Sequence, residues 1–227
     1  MGSSARSTIW YTGQDEDNET YVADNTNSID TISSSNASDT EVVNVEGHTM
    51  SGGDRTFVVQ QATLNGQNKV TLATPLNRLT RIAHAQESST DLVGEIYGYE
   101  DTTIVAGKPS DTTKIHITVP AGENQSEKAS TSISSQDYWI VTKISAGYLE
   151  KTGSNICDVR IEVREQGGVF LPKAKPIVIK TGTEAYISFK EPTLIIPKNA
   201  DVRLTALSSA TGQNICGDIH GYLAKLI

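Results

Sequence analysis

Apolar residues in this chain recur at every second position, and no window of eleven or more residues carries them at a convincing helical spacing. Lys114-Ile115-His116-Ile117-Thr118-Val119 shows the pattern most cleanly. Successive side chains of a strand point to opposite faces, so Ile115, Ile117 and Val119 are expected to face a core and Lys114, His116 and Thr118 to face solvent. Cys157-Asp158-Val159-Arg160-Ile161-Glu162-Val163-Arg164 alternates without a break, and Asp201-Val202-Arg203-Leu204-Thr205-Ala206-Leu207 is a further strand-like run near the end of the chain. Leu76 to His84 reads as strand rather than helical turn. Pro172, Pro192 and Pro197 stand outside or at the ends of apolar runs, where they remove no central ladder bond. About a dozen short strands separated by Gly-, Ser- and Pro-rich turns predict an all-β chain of β-sandwich or jelly-roll architecture. The last run, Ile215 to Leu226, is expected to be a strand held in a sheet.

Charge divides the chain more sharply than hydropathy does. Residues 1–50 hold nine acidic side chains and one basic, Arg6, whereas residues 51–227 hold eighteen of each sign. Residues 1–40 are rich in Asp, Glu, Asn, Ser and Thr, and such a segment alone cannot repay the entropy of ordering it. They are expected to form an extended acidic arm, with Ile9, Trp10, Tyr11, Tyr21 and Val22 as anchors on a partner. Asp15, Glu16, Asp17 and Glu19 are solvated, meet a basic patch or hold Ca²⁺, although the spacing and glycine of an EF-hand are missing. Residues 41–125 then form a first β region and 126–227 a C-terminal β-sandwich, meeting in the polar stretch Gly122 to Ser135. The two β regions make either two sandwiches or one.

The same patterning excludes several functions. No cluster of Lys and Arg offers a phosphate-binding surface, so nucleic acid is not an expected partner. No apolar stretch approaches the roughly 20 residues that cross a bilayer, and Met1 to Tyr11 lacks the apolar run of a signal peptide. Neither a nucleophile elbow nor a Walker loop occurs. His48 beside Gly47 reads as a turn residue, and His116 and His220 as outward strand positions, so no metal and no cofactor is expected. Glu95, Glu100 and Asp101 are the carboxylates that a glycoside hydrolase would need, without a sign of the required burial or separation. Tyr97, Tyr99, Trp139, Tyr148 and Tyr186 are core or rim aromatics, or a contact surface on which Tyr97 and Tyr99 share a face. Thr152-Gly153-Ser154-Asn155-Ile156-Cys157 recurs as Thr211-Gly212-Gln213-Asn214-Ile215-Cys216. Cys157 and Cys216 are therefore expected at equivalent positions, as buried thiols or as a disulfide between neighbouring strands.

Four stretches carry a family likeness. They are Thr118-Val119-Pro120-Ala121-Gly122-Glu123-Asn124-Gln125, then Asp137-Tyr138-Trp139-Ile140-Val141, then Asp158 to Arg164 with Gly167-Gly168-Val169-Phe170, and finally Pro192 to Leu204. In this order they resemble the jelly-roll structural proteins of tailed bacteriophages, in particular capsid decoration or cement proteins, over residues 60–227. The resemblance implies a non-enzymatic virion subunit that stabilises the head shell by non-covalent contact. Its partners would be the major capsid protein or other virion subunits, and the subunit itself a dimer or trimer. The alternative within the same likeness is a tail, fibre or adaptor component that binds a cell-surface glycan or another virion protein. Only 37% of the residues are hydrophobic and 6% aromatic, which suits a subunit that gains stability from neighbours.

Overall fold

The computed structural model describes residues 7–8, 22–85, 90–126, 128, 130–148, 154–189, 194–209 and 215–225. Apart from one three-residue 3-10 turn (Thr112–Lys114), every regular element among them is a strand, as the period of two requires. The chain divides into two compact units, one within Trp10–Lys128 and the other made of Ala129–Ile227 with the N-terminal segment that includes strand β1 (Ser7–Thr8).

The first unit contains β2 (Ile29–Ser34), β3 (Val42–Ser51), β4 (Asp54–Thr63), β5 (Val70–Leu76), β6 (Arg78–His84), β7 (Ile96–Glu100), β8 (Ile104–Val105), β9 (Lys108–Pro109) and β10 (Ile115–Val119). One antiparallel sheet runs β10-β7-β2-β5, a second runs β4-β3-β6, and β8 and β9 form a separate hairpin. Gly52 and Gly53, at φ +60° and +88°, close the β3–β4 hairpin as a two-residue turn of the kind that matches strand twist. Between the two sheets lies a core that includes Ile32, Leu72, Ile96, Ile117 and Val119 from one side and Val43, Val45, Leu79 and Ile82 from the other.

This arrangement corrects two readings of the sequence. β10 is buried on both faces rather than half-buried. A register shift between Ile115 and Ile117 turns Ile115 away from the main core, where it packs with Tyr97, Tyr99 and Ile104 of the β8 hairpin. His116 and Thr118 are buried with it. Nor does the arm extend to residue 40. β2 is an inner strand of its sheet, flanked by β7 and β5, and Val22, Ile29 and Ile32 are core residues.

The serine-rich stretch that begins at the end of β2 looks unfoldable by composition because it has almost no apolar residues, but its polar groups are satisfied inside the protein. Ser33 Oγ donates to the Gly107 carbonyl (2.6 Å) and Ser34 Oγ to the Asp39 carboxylate (2.5 Å). Asp39 also accepts from the backbone N–H groups of Val93 and Gly94, both at 2.9 Å. A Cβ at Gly107 would come within 1.7 Å of the Ser34 carbonyl oxygen, so glycine is what allows the hairpin to lie directly on β2.

The second unit contains β11 (Ser130–Ser132), β12 (Asp137–Tyr148), β13 (Ile156–Arg164), β14 (Leu171–Pro172), β15 (Ile177–Lys180), β16 (Glu184–Ser188), β17 (Leu194–Ile196), β18 (Asp201–Ser208) and β19 (Ile215–Lys225), with β1 added. One sheet follows β1-β18-β13-β14, with β11 also against β18 and β15 also against β13. The other has β12 at its centre, β19 along one side and β16 and β17 along the other. Val159, Ile161 and Val163 of β13 and Val202, Leu204 and Ala206 of β18 share one core with Val141, Ile144 and Ile196 of the β12 sheet. Both alternating strands thus bury the residues their period assigns to the core, and each unit is a β-sandwich.

Replacing Asp39 with Ala removes a buried acceptor from three donors, and should lower unfolding stability by about 3 kcal/mol. Asp39→Asn keeps one acceptor oxygen and should lose less. Urea denaturation of both variants checks the ranking, and a loss below about 1 kcal/mol for Asp39→Ala would show that the network is replaced by solvent.

Candidate functional site

Strand β12 sets out the surface features of the second unit. Its pairings place side chains in rows across the outward face: Glu184, Gly147 and Cys216; Tyr186, Ser145 and Asp218; Ser188, Lys143 and His220; Ile195, Ile140 and Tyr222. Tyr186 is 68% exposed, Tyr222 56% and Ile195 53%, an unusual concentration of apolar area for one face of a chain poor in aromatics. The Lys143 ammonium lies 5.1 Å from the Tyr186 ring centroid, where the negative face of the ring attracts it. Beside it is a recess of about 180 Å³ bordered by Tyr186, Glu184, Gly147, Cys216 and Asp218. The recess is open because residue 147 is glycine: a Cβ there would stand 2.9 Å from the Cys216 sulfur. Its volume is below the range of roughly 300–1,000 Å³ in which small-molecule sites enclose their ligands.

The opposite sheet has a closed charged face. Arg203 bonds Glu162 (3.0 Å), Arg164 bonds Asp201 (2.5 Å), and Asp201 accepts from Ser132 Oγ (2.7 Å). The Gly167-Gly168-Val169-Phe170 turn folds Phe170 over both guanidiniums, with its centroid 3.9 Å from Arg203 Cζ and 5.3 Å from Arg164 Cζ. Glu162 and Asp201 are buried. These charges hold the two central strands in register.

In the first unit the carboxylates considered for catalysis are engaged elsewhere. Glu100 accepts from Ser28 Oγ (2.7 Å) and lies 3.1 Å from His116 Nε2. The His116 hydrogen bond, opposed by burial and helped by Ser28, lowers its pKa from 4.5 to about 2. A general acid needs the reverse shift. Asp101 is bound to Lys69 (2.6 Å) at the surface, and Glu95 accepts from the Tyr97 hydroxyl. Tyr97 and Tyr99 are fully buried and offer no platform for a sugar ring. His48 sits inside β3, edge-on to Phe57 at 5.2 Å, and is not a turn residue. Among the described residues no three His, Cys, Asp or Glu side chains group as metal ligands.

The residues singled out from the sequence divide as follows. Ile9, Trp10, Tyr11, Asp15, Glu16, Asp17, Glu19 and Tyr21 lie outside the described residues. Val22 is buried in the first unit's own core and is not available as an anchor. Next to it, Asp24 is held by Arg78 (2.6 Å) and lies 3.8 Å from Arg55, and both arginines are buried. Cys157 faces the core of its sheet, while Cys216 is exposed on the outward face of β19. The two thiols are unbridged, so the repeat does not produce equivalent environments. β13 is flanked on both sides within its sheet, whereas β19 is an edge with the opposite inward phase. Of the five aromatics named as a contact surface, Tyr186 is open, Trp139 is half-buried against the core, and Tyr97, Tyr99 and Tyr148 are buried. Tyr222 and Lys143 carry no signal in the sequence. Their exposure follows from strand pairing alone.

No family model matches this chain, and no curated protein matches it in sequence. Among solved structures it is similar to a chain in the structure of the infectious bursal disease virus Gt strain. The identity is 14% and the TM-score 0.25, over 85% of this chain and 54% of that one. The chain thus spans about half the length of the one it matches, and a likeness at this level bears on neither fold nor function.

Because its pKa is depressed on folding, Glu100 contributes stability that is present above about pH 4.5 and is lost as pH falls toward about 2. Glu100→Gln should remove that dependence, costing on the order of 2 kcal/mol at neutral pH and flattening the acid limb of stability against pH. Denaturant unfolding of the two proteins between pH 2 and 6 reads it. Parallel curves would show that the His116 contact does not set the titration.

Proposed function

We propose that this chain is a virion structural subunit of the capsid decoration or cement kind, joined to other virion proteins by non-covalent area. The observation that carries the reading is the outward face of the β12 sheet, where Tyr186, Ile195, Ile140 and Tyr222 gather beside Lys143. Aromatic side chains bury large areas for few frozen torsions and are enriched among the anchors of protein interfaces. The strand order that resembles jelly-roll virion proteins supports the same role. So does the use of the carboxylates near Tyr97 in hydrogen bonds and ion pairs within the protein.

The acidic front segment adds a second contact. Residues 1–21 hold Ile9, Trp10, Tyr11 and Tyr21 as apolar anchors, with Asp15, Glu16, Asp17 and Glu19 to meet a basic patch on a major capsid protein. Contacts made through a segment of this composition cost conformational entropy, so it extends the contact surface at modest affinity. A tail, fibre or adaptor position would use the same two elements. A glycan-binding version would rest on Tyr186 and Tyr222 in place of the buried Tyr97 and Tyr99.

The test is occupancy on purified cognate capsid particles stripped of this protein. Tyr186→Ser with Tyr222→Ser should weaken binding at least about tenfold. Replacing Trp10, Tyr11 and Tyr21 with Ser, which leaves β1 in place, should keep the β-rich circular dichroism spectrum and reduce occupancy. Full occupancy by both variants would sink the reading.

A further inference from the structure

Strand β19 is a long open edge. It pairs with β12 from Ile215 to Lys225, and among the described residues it has no other strand partner. Such an edge presents a row of backbone donors and acceptors ready for another strand, and proteins normally blunt it with proline, a bulge or a covering segment. Several other edges here are blunted. β4 is joined to β5 by the Gln60 side-chain amide, which donates to the Thr74 carbonyl (2.8 Å) and accepts from its N–H (2.9 Å). β5 carries Pro75, and β1 and β14 have two residues each. β19 has no proline, and it is exposed over most of its length.

Its apolar residues also sit at the wrong places for a solvent edge. Trp139, Ile196 and Leu223 form one inward row, yet Ile196 is fully buried and Leu223 is 60% exposed. The core layer takes in Ile215 and Ile219 but runs out along β19 before Leu223, leaving Leu223 uncovered on the inward side and Tyr222 on the outward side.

We infer that β19 pairs with β19 of a second copy, antiparallel about a two-fold axis centred on Ile219, to make one continuous sheet across a dimer. Opposed residues of an antiparallel pair share a face, which limits the registers to those centred on a residue. Centring on Asp218 sets two carboxylates against each other and leaves Tyr222 and Leu223 outside the overlap. Centring on His220 opposes two imidazoles and places Ile215 against Lys225 of the second copy. Centring on Gly221 leaves Asp218 facing Ala224. Centring on Ile219 places Asp218 opposite His220 of the second copy, twice by symmetry. It also sets Leu223 against Ile215 and packs Ile219 on itself. In this register the Asp218 carboxylate of one copy accepts from a ring N–H of His220 on the other. An isologous interface of this kind closes at two subunits.

The inference stands apart from the virion reading, since it concerns only the free protein in solution. Sedimentation of the full chain at tens of micromolar should show a dimer. Asp218→Lys, which removes the acceptor, and His220→Glu, which opposes two carboxylates, should each weaken it about tenfold, and the double variant, which restores Lys against Glu, should recover it. Both substitutions lie at exposed positions, so thermal melts of the three variants should confirm an intact fold. In a Cys216→Ser background, Ile219→Cys should form an intermolecular disulfide on mild oxidation, because the residue on the axis faces itself at a Cα separation of about 4.5–5.5 Å. A monomer at these concentrations would overturn the inference. So would a double variant as weak as the singles, or cross-linking through His220→Cys in place of Ile219→Cys.

Discussion

Buried carboxylates hold this molecule together at points where a chain richer in apolar residues would use packing alone. Asp39 ties the end of β2 to the backbone ahead of β7, Asp201 ties β18 to β13 and β11, and Glu162 repeats the β13–β18 tie one pair further along. Asp24 fastens the entry of the first unit to Arg78 of β6. Removing one partner of such a contact costs far more than making it gains, since the other group is left without water or a bond. The contacts therefore act as register marks. A strand displaced by one residue would bury its charges against the wrong neighbours, and apolar contact alone does not impose that penalty.

That division of labour explains which parts of the fold could be read from the residues. Strands β13 and β18 were legible because Val159, Ile161 and Val163 face one core with Val202 and Leu204, so period and burial agree. β10 was legible as a strand but not in its phase. One register shift sends Ile115 to a different cluster from Ile117, and the hairpin that covers its outer face is fixed by contacts distant in sequence. β2 was missed because Ser33, Ser34 and Asp39 look like solvated residues, and only the folded chain supplies the carbonyls and amides they bind. The site followed the same rule. Tyr97 and Tyr99 looked like an exposed pair and are interior, whereas Tyr186 and Tyr222 share a face only because both pair through β12.

The two faces of the second unit's sandwich then differ in what they can offer a partner. On the β13–β18 face the guanidiniums of Arg164 and Arg203 are already spent on Asp201 and Glu162, and Phe170 covers them. Charges neutralised at bonding distance produce little field beyond the surface, so that face cannot steer an approaching protein. On the β12 face Lys143 rests on an exposed ring, and the neighbouring row of Ile195, Ile140 and Tyr222 is apolar. An encounter there gains area first and electrostatic contact second. The edge of that same sheet is where the core layer ends, because β19 extends past the inward residues that the other sheet covers. Face and edge are thus two outlets of one shortage. This chain has too few large apolar side chains to finish the sheet around β12, and what it leaves open is the part that a partner can complete.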